Sequence, residues 1–130
     1  GQALASLPHQ NIWVVASGNI THNLRDWQVA AMGNGQTPDY VHRFADWVHA
    51  QLQGHGIEAL IQYRQASADG RQAHPSEDHL LPLFVALGAA GDAAQPQAFF
   101  RGVSDCVIAM DGYGFARRFS QGAQPGSALV

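Results

Sequence analysis

Ile12-Trp13-Val14-Val15-Ala16 is an apolar run set between the polar borders His9-Gln10-Asn11 and Ser17-Gly18-Asn19. Its length and β-branched content fit a strand buried on both faces. Such strands belong to parallel or mixed sheets, so the run predicts an α/β fold with a mixed, largely parallel-type sheet flanked by helices. Just beyond it, Thr21-His22-Asn23-Leu24-Arg25-Asp26-Trp27 reads as a helical turn capped by Asn19 or Thr21. His22 then falls past the carboxyl end of the strand, where open α/β sheets gather their ligands.

Working outward, Thr37-Pro38 supplies an N-cap followed by proline at the first helical position. Val41, Phe44, Ala45, Val48 and Leu52 then recur at helical spacing, with Asp39, Arg43 and Asp46 off that face and Gly54 as a stop. Residues 58–65 read as a shorter helix with Leu60, Ile61 and Tyr63 inward, before the polar stretch from Ser67 to Gln72. Leu80 to Gly91 is apolar on every side. Pro82 argues against a central strand but suits a first helical turn, so a buried helix is expected to start near His79. Gly88, Ala89 and Ala90 would let another element approach it closely. Phe99-Phe100 and Val107-Ile108-Ala109-Met110 read as strands. The first seven residues resemble the later turns of an amphipathic helix with no cap ahead of them, as if the chain began within an element. No stretch reads as a signal peptide. Residues 1–119 are expected to form one domain and residues 120–130, rich in Gly, Ala, Gln and Ser, a flexible tail.

With 130 residues the chain is long enough for one domain with a hydrophobic core. Hydrophobic residues make up 46% and charged residues only 13%, so part of the surface is expected to be covered. Seven Lys and Arg against ten Asp and Glu leave no basic footprint for nucleic acid or anionic lipid. Cys106 is the one cysteine, which excludes an intrachain disulfide and fits a reducing, cytoplasmic setting.

Seven histidines invite a metal reading. His42 and His49 lie on the polar side of the long helix, and His9 and His55 lie in loops, where solvated histidines are ordinary. His22 and the His74-Pro75-Ser76-Glu77-Asp78-His79 segment differ because each adjoins a buried apolar element. A histidine in a first helical turn feels the positive end of the macrodipole, which favours the neutral, metal-binding imidazole. Glu77 or Asp78 could then accept the ring N–H that faces away from a metal. On composition alone, Ser76-Glu77-Asp78 reads equally as an N-cap with first-turn acids. Gly112-Tyr113-Gly114 is too short for a dinucleotide loop, and Ser17-Gly18-Asn19 lacks the lysine of a phosphate loop. Cys106 sits in an apolar run, where cysteines are inert core.

Two of these segments together resemble the class III extradiol ring-cleavage dioxygenases, in the LigB and DOPA-dioxygenase-like branch. They are Val15-Ala16-Ser17-Gly18-Asn19-Ile20-Thr21-His22-Asn23-Leu24 and the stretch from Ala73 to Ala90 that contains His74-Pro75-Ser76-Glu77-Asp78-His79. Residues 104–115 are similar to the closing strand of that branch. The resemblance implies the C-terminal part of a catalytic domain, so an incomplete domain, acting on a catechol-type substrate and O2 with non-haem Fe(II), or zinc. It implies that His79 is a metal ligand and His22 the acid/base histidine, with Asn19, His74, Glu77 and Asp78 as outer or substrate-contacting residues. Gly18 would let backbone approach the substrate. Two further metal-binding histidines have no counterpart in this chain. Self-association, or association with a missing N-terminal half, follows as an expectation. A noncatalytic, Memo-like binding or scaffold protein of the same fold is the competing expectation, with a metal-dependent hydrolase as a third.

Overall fold

A computed structural model of the chain describes residues 1–92 and 94–117; the expected tail, residues 120–130, lies outside them. The organising element is helix α2 (Asp39–Gln53). Its cap is Pro38 itself, in extended conformation, one residue later than Thr37; Asp39 in the first turn complements the helix dipole. Gly54 closes it, its N–H donating to Ala50. The face that the spacing predicts is the buried one, joined by Tyr40. Phe44 is fully buried and its ring lies 5.7 Å from Trp47, 5.9 Å from Tyr63 and 5.8 Å from His74 between centroids.

The next helical stretch splits into α3 (Ile57–Ile61) and α4 (Tyr63–Ala66) at Gln62. Leu60 and Tyr63, three apart, share the buried face, whereas Ile61 turns outward and is 60% exposed, contrary to expectation. The polar stretch that follows contains a single turn, α5 (Gly70–Ala73). Gly70 permits it: a Cβ there would fall 2.4 Å from the Tyr63 carbonyl oxygen.

The sheet expectation is corrected. The described strands form two small antiparallel pairs, β1 (Ala94–Phe100) with β4 (Gly112–Arg117) and β2 (Val103–Ser104) with β3 (Ile108–Ala109), and no parallel ladder is present among the described residues. Ile12–Ala16 is not a buried strand either. Trp13 is 90% exposed and Val15 84%, and the run carries no ladder. An apolar, β-branched run signals a preference for burial, but burial needs a neighbouring segment, and the described residues offer none there. Cys106 lies outside the apolar strand as well. It occupies the β2–β3 turn, where Asp105 and Cys106 both have positive φ (50° and 64°), and its Sγ approaches the Gly35 carbonyl at 3.0 Å.

Helix α6 (Leu81–Ala90) begins with Leu80 as cap and Pro82 in the first turn, as read. It is not wholly buried: Leu81 is 51% exposed and Val85 37%. Its small residues do admit a close neighbour, because a Cβ on Gly88 would fall 2.9 Å from the Gln2 amide nitrogen. That neighbour is the N-terminal segment, which forms two 3-10 turns, Gln2–Leu4 and Leu7–Gln10, rather than an α-helix. Pro8 disfavours a continuous helix because its ring would clash with the carbonyl four residues earlier. Helix α1 (Leu24–Met32) is capped by Asn23, which accepts from the N–H groups of Arg25 and Asp26. Thr21 is instead buried, donating to the Val107 carbonyl at 2.7 Å and accepting from the Ala109 N–H at 2.7 Å. Thr21→Val keeps the shape and removes both bonds, so it is expected to cost about 1–3 kcal/mol in urea unfolding. Among the described residues no helix is long and apolar enough to cross a membrane.

Candidate functional site

Residues 19–22 run between two walls. On one side the Ile20 N–H donates to Ala109 at 2.9 Å, and Thr21 bonds Val107 and Ala109. On the other, the Asn19 N–H donates to the His79 carbonyl at 2.9 Å and the His22 N–H to the Ala73 carbonyl at 2.8 Å. Gly18 belongs to this junction: a Cβ there would lie 2.3 Å from the His79 carbonyl oxygen and 3.0 Å from Pro82 Cγ. The glycine thus allows the two chain segments to close on each other, which is what the backbone requires here irrespective of any substrate.

The result is that His22 and His79, far apart in sequence, stack with ring centroids 3.5 Å apart and planes inclined by 22°. Both rings are partly exposed. His79 is not in the first turn of α6; it sits in the turn just ahead of it, with Leu80 as the cap, so the macrodipole acts on it less directly than the sequence suggests. Its Nε2 lies 3.2 Å from Asp78 Oδ2. With Nε2–H donated to that carboxylate, Nδ1 carries the free lone pair. The Ser76 hydroxyl and backbone N–H hold the Asp78 carboxyl below its ordinary range, and the two histidines add to this. Burial, and then the neighbouring charge of His79, lower the His22 imidazole below its ordinary 6.5, with Asp78 opposing. A pair of stacked rings cannot both carry charge cheaply, so His22 is held in the neutral form at neutral pH.

The remaining sequence-derived residues divide. Asn19 gives its backbone N–H to His79 and points its side-chain amide at Met110 Sδ, 3.0 Å away. Glu77 pairs its carboxylate with Arg64 at 3.6 Å, and its carbonyl accepts from the N–H groups of Leu80 and Leu81. His74 is fully buried and bonds the Ile20 carbonyl through Nε2 at 2.7 Å. Thr21, read in the sequence only as a possible helix cap, and Arg64, which the sequence does not single out, hold the backbone here, the Arg64 guanidinium donating to the His74 carbonyl at 2.7 Å. Neither role carries a local signal, since each acts through a partner distant along the chain or a backbone carbonyl. Of the other histidines, His42 and His55 are exposed, and His49 stacks near Tyr113.

His74 makes the fold sensitive to acid. Burial pushes its imidazole down to about 4, the Ile20 carbonyl opposing and the charges of His22, His79 and Arg64 reinforcing the shift. Its unfolded value is 6.5, so between 6.5 and about 4 the unfolded chain binds the proton that the folded chain refuses. The stability contribution is therefore fully present above the upper limit and is lost as pH falls toward the lower. About 3 kcal/mol is at stake, and urea unfolding across that window should show it, with the slope much reduced in His74→Gln.

Among the described residues no group of three or more His, Cys, Asp or Glu is placed to hold a metal ion. His22, His79 and Asp78 therefore do not by themselves fit a complete non-haem metal centre, which takes three protein ligands.

The family described as "Catalytic LigB subunit of aromatic ring-opening dioxygenase" matches residues 1–110. The chain is 27% identical over 115 residues to a 4,5-DOPA dioxygenase extradiol of Beta vulgaris, covering 88% of this chain and 42% of the relative. It is 31% identical over 101 residues to that of Mirabilis jalapa (78% and 37%) and 36% over 92 residues to that of Escherichia coli strain K12 (68% and 33%). The chain thus spans some two-fifths or less of the relatives it matches. A match that takes in both histidine segments and most of the chain establishes that it belongs to the LigB family of aromatic ring-opening dioxygenases.

Proposed function

We propose that this chain is the C-terminal part of an extradiol dioxygenase catalytic domain and contributes the acid/base histidine, His22, and one metal ligand, His79. The observation that carries this reading is the stacking of those two rings at 3.5 Å. The substrate class is a catechol, as the names of the DOPA-cleaving relatives suggest, with O2 as co-substrate. The metal is Fe(II), with zinc as the alternative, and needs two further histidines from outside this chain. Bound there, it would supply the dioxygen chemistry and a point of chelation for the diol.

What this chain's residues do is handle the proton. A neutral His22 can take the phenolic proton of an incoming catechol, and the imidazolium so formed is partnered by the nearby Asp78 carboxylate. It can return the proton later as the ring opens. The exposed Trp13–Val15 edge, with its unladdered backbone, suits pairing with the remainder of a LigB domain or, without it, with a second copy. A reducing, cytoplasmic setting suits both a lone cysteine and a ferrous centre.

The test is oxygen uptake by the complete domain loaded with ferrous iron, using L-DOPA and catechol as probes. Uptake with a yellow ring-opened product supports the reading. Turnover of esters or amides without uptake overturns it, and metal binding with no turnover at all would favour the noncatalytic, Memo-like alternative.

A further inference from the structure

We propose that His74 is a positioning residue for the site: its ring N–H, donated to the Ile20 carbonyl, fixes the segment that delivers His22 to His79. This rests on the site reading above. A carbonyl oxygen can only accept, so the 2.7 Å contact makes Nε2 the donor and leaves Nδ1 as the lone pair of a neutral ring. Nδ1 is buried and has no partner. The ring is thus used for one bond alone, and burying an unpaired acceptor is costly unless the other nitrogen does something a hydrocarbon cannot.

What it does is grip a tripeptide. Ile20 is buried, and its carbonyl meets His74, while the N–H of His22, two residues on, meets the carbonyl of Ala73, the residue next to His74. Both ends of Ile20–His22 are therefore held by one dipeptide. That dipeptide is itself anchored: Arg64 donates to the His74 carbonyl at 2.7 Å, the His74 N–H donates to Gly70, and the ring is wedged edge-on against Tyr63 (5.9 Å, 82°) and Phe44 (5.8 Å, 64°). From His74 the chain needs only five residues to reach His79, whose carbonyl returns to Asn19. The loop 74–79 and the segment 19–22 are thus clamped at both ends, and the stacked rings lie between the clamps. A phenyl ring would fill the same space but leave the Ile20 carbonyl without its donor, freeing one of the two clamps.

The test uses the metal-free chain, so it needs neither iron nor turnover, and its failure is separable from failure of the dioxygenase reading. NMR follows the ring protons of His22 and His79, which mutual stacking displaces, and deuterium exchange follows the His22 amide relative to the amides of Phe44 and Val48 in the same variant. Normalising to α2 removes any general loss of stability. His74→Gln places an amide nitrogen near the position of Nε2; His74→Asn is too short to reach, and His74→Phe has the shape without the donor. The expected result is that Gln keeps the displaced ring shifts and the His22 protection. Phe and Asn are expected to lose the shifts, with at least a tenfold (~10-fold, about 1.4 kcal/mol) faster relative exchange at His22. Should Phe fail to fold, the Gln and Asn pair carries the comparison. Wild-type shifts and protection in a folded Phe or Asn variant would overturn the proposal, as would a folded Gln variant that loses both.

Discussion

His22→Gln, assayed in the complete LigB domain with ferrous iron and L-DOPA, is expected to lower kcat by about 10²- to 10⁴-fold, the range that general acid–base groups supply. Glutamine keeps a polar side chain of similar reach, but it cannot accept a proton at neutral pH. Because the backbone of residue 22 is held by Ala73 and its neighbours by Val107 and Ala109, the substitution should leave the surrounding chain in place. Metal content is then expected to be retained, which separates loss of proton transfer from loss of the centre. The pH profile gives a second check. The proposed role requires the base form, and burial and His79 lower the His22 imidazole, so the acid limb of kcat/KM should lie below 6.5 and disappear in the variant. An undiminished rate in His22→Gln, measured by oxygen uptake, would remove His22 from the mechanism.

Phe44→Ala carries the largest expected cost in stability, about 3–5 kcal/mol. The ring is fully buried at the centre of the face that α2 presents, in ring contact with Trp47, Tyr63 and His74, so its removal leaves a cavity with walls on several elements. Such a cavity collapses only in part, which adds to the lost transfer energy. Urea unfolding of the chain measures it. A loss below about 1 kcal/mol would mean that the core is not organised around this position. The same substitution removes one wall against which His74 is wedged, so the site is expected to loosen before the helix does.

These two positions mark what the sequence makes legible. The inward face of α2, with Val41, Phe44, Ala45, Val48 and Leu52, depends on a local period that reads directly, and so do Gly54 and the placement of Pro82. Ile12–Ala16 reads as a buried strand because composition reports a preference, while burial depends on which segments lie alongside. Sheet direction has no local signature at all, and the antiparallel β1–β4 and β2–β3 pairs could not be read from short runs. Leu81 and Val85 show the same limit on α6: an all-round apolar helix gives no moment to say which face is covered. In the site, His22 and His79 stand out through family resemblance and their flanking apolar elements, whereas their meeting is a property of long-range backbone bonds. His79 falls in a turn rather than a helix because α6 starts only at Leu81, after the Leu80 cap. Arg64 stays silent in sequence and Thr21 reads only as a possible helix cap, since a hydroxyl or guanidinium bonded to a distant carbonyl looks like any surface residue.

The exposure of Trp13 has a practical side. An indole standing almost entirely in water emits at long wavelength and is open to quenching by iodide, whereas Trp47, packed beside Phe44, is better shielded. Any chain that lays a strand along residues 12–16 would move that emission toward the blue and shut out the quencher. The molecule therefore carries its own optical gauge of whether that edge is bare or covered.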